Sequence, residues 1–162
     1  MNKIYTLENA VKLAKKLRQE GKKIILAGGC FDILHVGHIQ FLDSAKKHGD
    51  HMMLLLENDK TVKRLKGEKK PINSQKNRAK ILTALTSVDS VCLLPSFSTN
   101  KAYDSLVLRL KPAIIATTVG DLFGKQKQKQ AKSVGGKLVS IKNIKNQSSS
   151  RLAEMLSQQF NI

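Results

Sequence analysis

The chain has 162 residues, enough for one domain with a core that folds unaided, and a composition (41% hydrophobic, 25% charged) that is globular and not disordered. Lysine and arginine outnumber aspartate and glutamate 29 to 12, a net charge of +17 that points to phosphate-bearing partners. Aromatic residues are only 4%, tryptophan is missing and the lysines are spread along the whole chain, which argues against a dedicated nucleic-acid module; no apolar run approaches the roughly 20 residues of a membrane span.

The first predicted element is a helix capped by Thr6 and running to about Glu20, with Leu7, Ala10, Val11, Ala14 and Leu17 on one face and Gly21 past its end. Ile24 to Ala27 is an apolar run of the length of a buried parallel strand. After it, Ile39, Leu42 and Ala45 recur at helical spacing up to Lys47, with Gly49 beyond. Met52 to Leu56 is a second strand. Thr61 to Asn73 reads as a basic loop with at most one helical turn. Ser74 caps a helix over Gln75 to Leu85. Val91 to Leu94 is a third strand stopped by Pro95, and Ala102, Leu106 and Leu110 mark a helix ending before Pro112. Ala113 to Thr117 is a fourth strand. The lysine/glutamine alternation from Lys125 to Gln130 reads as a solvated helix ending at Gly135-Gly136. Leu138 to Ile141 is a fifth strand, and a last helix follows Ser148-Ser149-Ser150 to about Gln159.

Strands alternating with helices predict an α/β fold, a doubly wound five-stranded parallel sheet with helices on both faces. No repeat or linker is visible, so residues 1–162 are expected to form a single domain, with 1–21 as an N-terminal helix extension. Cys30 and Cys92 fall in different elements without disulfide or metal spacing, and Met1-Asn2-Lys3 leads into no signal-peptide core, so a reducing cytoplasm is the expected setting.

The informative stretch is Gly28-Gly29-Cys30-Phe31-Asp32-Ile33-Leu34-His35-Val36-Gly37-His38, a strand–glycine turn–helix crossing. Such a turn exposes backbone N–H groups and the helix dipole adds positive potential, so phosphate is the expected visitor. His35 and His38, at i and i+3, share one helix face and can donate to the same anion. Gly37 in the first turn forgoes about 1 kcal/mol of helix stability relative to alanine, which suits close approach by a ligand. A zinc site on Cys30, His35 and His38 is the competing chemistry, although it needs a fourth ligand and the glycines suit an anion better.

The His-x-Gly-His segment resembles the signature of the HxGH nucleotidyltransferase superfamily (cytidylyltransferase-like, with a Rossmann-like fold). Its members join a nucleoside triphosphate to a phosphorylated substrate and release pyrophosphate. Among its branches the chain is most similar to the nucleotidyltransferase domain of ADP-heptose synthase, and the likeness runs from Thr6 through the last helix. The resemblance implies that His35 and His38 contact the triphosphate and that Gly29, Cys30, Phe31 and Gly37 shape the turn facing the nucleotide. It further implies that Lys66 reaches over the phosphates and that Asp32, Arg78 and Asp121 serve the second substrate. The Ser148-Ser149-Ser150 run matches a Ser-Thr-Thr run opening the last helix, where hydroxyls bind phosphate or simply cap. The chain departs from the heptose branch at Ala27-Gly28, where Thr-Asn is usual, and at Thr118-Val119-Gly120-Asp121, which keeps only the Gly-Asp of Lys-Gly-Gly-Asp.

By this resemblance the expected enzyme transfers AMP from ATP to a sugar phosphate such as heptose 1-phosphate. A cytidylyltransferase acting on CTP and an alcohol phosphate such as glycerol-3-phosphate is the alternative in the same class. A non-catalytic nucleotide- or RNA-binding protein is the alternative outside it. Mg²⁺ is expected with the triphosphate and no protein-held metal; the resemblance also allows a homodimer.

Overall fold

The computed structural model describes residues 3–142 and 149–160. Six parallel strands form one sheet: β1 (Ile4–Thr6), β2 (Ile24–Gly29), β3 (His51–Leu56), β4 (Ser90–Leu93), β5 (Ile114–Thr118) and β6 (Lys137–Ile141), in the order β1-β4-β3-β2-β5-β6. Among the described residues six helices connect them, α1 (Leu7–Gln19), α2 (Val36–Lys46), α3 (Asp59–Lys66), α4 (Gln75–Thr83), α5 (Asn100–Leu110) and α6 (Gly124–Ser133), and α7 (Ser149–Phe160) follows the last strand. From β2 the chain moves to β3 on one side, while β5 pairs with β2 on the other, at Ile25↔Ile114 and Leu26↔Ile115. That reversal opens a crevice at the carboxyl ends of the central strands.

The sheet is covered on both faces, as near-continuous apolar strands require. On one face Ala10 and Ala14 of α1, Leu106, Val107 and Leu110 of α5 and Ala131 of α6 pack on Leu26, Met53, Leu55, Cys92 and Ile115. On the other, Leu42 and Ala45 of α2 and Ala79 and Leu82 of α4 pack on Ile25, Met52, Leu54, Leu56, Val91 and Ala116. Burial pushes the Cys92 thiol up to about 12, so it behaves as a small apolar side chain. No helix among the described residues is long and apolar enough to cross a membrane.

Two expectations are corrected. The sheet has six strands, not five. Ile4-Tyr5-Thr6 is too short to show a period in sequence, but it pairs with Val91-Cys92-Leu93. It is fastened by Val91 N–H donating to the Lys3 carbonyl at 2.8 Å and by Lys3 Nζ donating to the Val88 carbonyl at 2.8 Å. The segment read as a basic loop opens with a two-turn helix, α3. Asn58 caps it, accepting from Thr61 N–H at 2.8 Å; Asp59 occupies the first turn and Lys63, Arg64 and Lys66 the last, in accord with the helix dipole. Burial of Thr61 and Val62 anchors its inner face. The caps read from Thr6 and Ser74 are present, accepting from Asn9 N–H at 3.4 Å and Asn77 N–H at 3.3 Å.

Candidate active site

At the end of β2 the chain turns sharply. Phe31 takes a left-handed backbone with φ of 45°, uncommon for a bulky residue. Gly29 makes room for it: a Cβ there would lie 3.0 Å from Phe31 Cε2. The Phe31 ring is buried and sits 5.4 Å, centroid to centroid, from His38. Beneath the turn lies Arg78, completely buried. Its guanidinium donates to the carbonyls of Cys30, Glu57 and Asn73 and to Asp59 Oδ1. One side chain thereby ties together the ends of β2 and β3 and the approach to α4. With its donors committed inside the protein, Arg78 does not line the cleft, and it holds the turn in place from below.

Asp32 is also buried. Its carboxylate accepts from Ile72 N–H and Asn73 N–H at 2.9 Å, and Asn73 Nδ2 returns a bond to the Asp32 carbonyl at 3.1 Å. The carboxylate belongs mostly to the backbone of residues 72–73. Lys70 Nζ lies 3.8 Å from Asp32 Oδ2, and this buried ammonium has no hydrogen-bond partner.

His35 is the N-cap of α2 with extended backbone and no capping bond from its side chain, so the first turn keeps its dipole directed at the crevice. The His35 and His38 rings lie 3.9 Å apart by centroid, inclined 35°. Burial lowers His35. Burial first, then the neighbouring His35 and Lys66, brings His38 down to about 4. Both imidazoles are therefore neutral at physiological pH. The Nδ1 atoms of both are buried without a hydrogen-bond partner.

These groups face a cleft of about 750 Å³ over the switch point. Gly29, Cys30, Phe31, Asp32, His35, Gly37, His38, Lys66 and Asp121 all line it. Burial pushes the Cys30 thiol up, and Lys66 only partly offsets this. Burial also acts to raise Asp121, but bonds from Lys127, the Thr117 hydroxyl and Phe123 N–H outweigh it and leave the carboxyl below its usual range. Ser148 lies outside the described residues; Ser149 and Ser150 open α7. Among the described residues no group of three or more His, Cys, Asp and Glu side chains is arranged to hold a metal ion.

Cleft residues that the sequence alone does not single out include Glu57, Arg64, Lys70, Tyr103 and Lys127. Glu57 could have been found, because it directly follows a buried parallel strand, where ligand contacts concentrate. Lys127 is hidden inside a lysine/glutamine run that reads as a solvated helix, although Gln126 and Gln130 of the same run also line the cleft. Tyr103 is brought in by the packing of α5 and leaves no local signal.

Residues 26–154 match the family described as cytidylyltransferase-like. Curated relatives include the bifunctional protein HldE of Aliarcobacter butzleri, 47% identical over 122 residues, covering 75% of this chain and 25% of the relative. HldE of Desulfatibacillum aliphaticivorans is 37% identical over 158 residues, covering 94% of this chain and 30% of the relative. The chain thus spans a quarter to a third of these relatives. A solved lipopolysaccharide core biosynthesis protein from Thermoplasma volcanium superposes with a TM-score of 0.62 at 28% identity, covering 78% of this chain and 100% of that one. Pantoate-beta-alanine ligase from Francisella tularensis, solved with beta-gamma ATP and beta-alanine, shares the fold at 16% identity with a TM-score of 0.62, covering 98% and 78%. With the His-x-Gly-His turn at its switch point, the chain belongs to the cytidylyltransferase-like family of nucleotidyltransferases.

Proposed function

We propose that residues 1–162 act as one adenylyltransferase unit that transfers AMP from ATP to a sugar phosphate of the heptose 1-phosphate type. The observation that carries this reading is the paired, neutral His35 and His38 at the uncapped start of α2, beside Lys66. An oxygen of the acceptor phosphate attacks the α-phosphorus of ATP. A P–O bond forms there, the bond from the α-phosphorus to the bridging oxygen breaks, and pyrophosphate leaves with the electron pair. A phosphate monoester is already anionic, so no strong general base is needed; the protein positions the reactants and neutralises charge on the leaving group.

In this reading the amides of the Gly29–Phe31 turn and the start of α2 receive the nucleotide phosphates, and the ring N–H groups of His35 and His38 donate to them. Lys66, in the last turn of α3, supplies a full positive charge to the departing pyrophosphate. Asp32 and Arg78 act as positioning residues, one holding residues 72–73 and the other the turn itself. Mg²⁺ would neutralise triphosphate charge and arrive on the nucleotide. The site suits an ion carried in this way, because its histidines and lysines are arranged for an anion.

Similarity to HldE and to the ADP-heptose synthase domain favours ATP and a sugar phosphate. The match to a family described as cytidylyltransferase-like supports a second reading, CTP with an alcohol phosphate such as glycerol-3-phosphate. A homodimer and a cytoplasmic setting belong to the same proposal. The deciding assay is pyrophosphate release with Mg²⁺, offering ATP and CTP separately against sugar and polyol phosphates. Release with ATP and a sugar 1-phosphate supports the first reading. Release only with CTP replaces it with the second, and tight RNA binding without any release would replace both.

A further inference from the structure

Phosphate chemistry calls for cations, yet the cleft also contains a carboxylate. Glu57 follows the last residue of β3 and reaches towards α5, on the side of the sheet away from α2, where both of its oxygens lie 3.0 Å from the Tyr103 hydroxyl. Tyr103 is itself fixed, edge-on to Phe97 with centroids 5.0 Å apart and planes at 81°. Burial raises Glu57, while the Tyr103 bond, Arg64 and Arg78 hold it back. A single hydroxyl proton leaves most of the acceptor capacity of a carboxylate unused. Several other polar groups of the cleft are spent on their neighbours: Thr117, Asp121 and Lys127 form a closed set, and Gln126 and Gln130 both donate to Asp104. Glu57 is preorganised, partly desolvated and short of donors.

What satisfies it must bring N–H or O–H groups and must not bring negative charge. A phosphorylated acceptor turns its phosphate to the nucleotide held at His35, His38 and Lys66 and its body to the rest of the cleft, which Glu57 also lines. We propose that Glu57, oriented by Tyr103, is a specificity-determining residue. It accepts hydrogen bonds from the hydroxyls of an uncharged polyol body and rejects acceptors with a second anionic group at that end. This rests on the nucleotidyltransferase reading above. Ribose hydroxyls of the nucleotide offer the same chemistry, so the test separates the two sources.

The full chain, loaded with Mg²⁺ and a non-hydrolysable ATP analogue, is titrated calorimetrically with heptose 1-phosphate, glucose 1-phosphate, glycerol-3-phosphate and glucuronic acid 1-phosphate. Wild type should bind at least one polyol phosphate and disfavour the uronic acid. Glu57→Gln, which keeps the shape and a partner for Tyr103, should weaken the preferred acceptor about tenfold and reduce discrimination against glucuronic acid 1-phosphate by a similar factor. Tyr103→Phe should shift both in the same direction, by less. In turnover the Glu57→Gln effect should fall on acceptor KM more than on kcat. Unchanged acceptor affinity and discrimination would overturn the proposal. So would a loss confined to the ATP analogue, which would assign Glu57 to the ribose, or failure of wild type to bind any of the four acceptors. If wild type binds an acceptor but releases no pyrophosphate with any of them, the transfer reading fails, and the binding series alone still decides the role of Glu57.

Discussion

His38 stacks on His35 with ring centroids 3.9 Å apart, one imidazole at the N-cap of α2 and the other in its first turn. Two charged imidazoles would repel each other at this distance, whereas two neutral ones pack as flat amphipathic plates. Burial keeps both neutral, and for His38 the neighbouring His35 and Lys66 add to it. The pair can therefore lend one N–H each to a triphosphate without adding fixed charge to an already basic chain.

If both donors act in the transition state, His35→Ala or His38→Ala lowers kcat by at least about 100-fold, as loss of such a donor does. Circular dichroism and the unfolding midpoint at pH 7.5 serve as controls for the fold. Near-native turnover in both variants would exclude the proposed mechanism.

The lowered His38 also makes stability depend on pH, with a definite sign. Unfolded, the ring titrates near 6.5; folded, near 4. Between these values the unfolded chain binds the proton and the folded chain does not, so stability contributed by His38 is present above about pH 6.5 and drains away as pH falls towards 4. His35 and Lys66 face this ring, and His51, also lowered by burial, adds a slope of the same sign, whereas the raised Glu57 opposes it. The measurement is therefore a difference: urea midpoints at pH 7.5, 6.0 and 5.0 for wild type and His38→Gln. Wild type should lose more on acidification, and parallel curves would show that His38 is not held neutral.

Arg78 should behave as a structural cation. Its guanidinium meets three carbonyls and Asp59 in full burial. Arg78→Met strands those acceptors, and a lysine cannot span all four, so each variant should cost about 3 kcal/mol or more. For a chain of this size that corresponds to a fall in Tm of roughly 2–4 °C per kcal/mol. Asp59→Asn should cost less, because Asp59 is half exposed and its loss leaves Arg78 three partners. Native-like thermal unfolding of Arg78→Met would show that the arginine serves something other than the turn.

Much of this was legible in the residues themselves. Strand–turn–helix punctuation around Gly28–His38, the caps at Thr6 and Ser74 and the alternation of apolar runs all rest on local chemistry, and local chemistry survives folding. What escaped depends on tertiary partners. Ile4–Thr6 becomes a strand only because Val91–Leu93 lies beside it. The α3 helix draws on burial of Thr61 and Val62 that its lysine-rich sequence conceals. Arg78, expected at the second substrate, is instead enclosed by four partners drawn from separate segments, a surrounding that no local pattern reveals. Glu57 and Tyr103 meet across 46 positions, a distance over which no spacing rule operates.

The Gly29–Phe31 contact gives the most local test of how the turn carries the histidines. A Cβ at Gly29 would lie 3.0, 3.3 and 3.4 Å from three atoms of the Phe31 ring. That ring cannot easily retreat, since it is buried against His38 on a left-handed backbone. Gly29→Ala should therefore cost about 1–3 kcal/mol of stability by overpacking and weaken ATP-analogue binding by displacing His38. Gly28→Ala is the control in the same strand, because its Cβ would meet Leu55 at an ordinary 3.6 Å. If the Phe31 ring is the obstacle, trimming it should help: in Gly29→Ala/Phe31→Leu the second substitution costs less than it does alone, a positive coupling measured by a double-mutant cycle. Strict additivity would mean that the alanine is accommodated by backbone movement, and that the glycine serves the nucleotide side of the turn instead of Phe31.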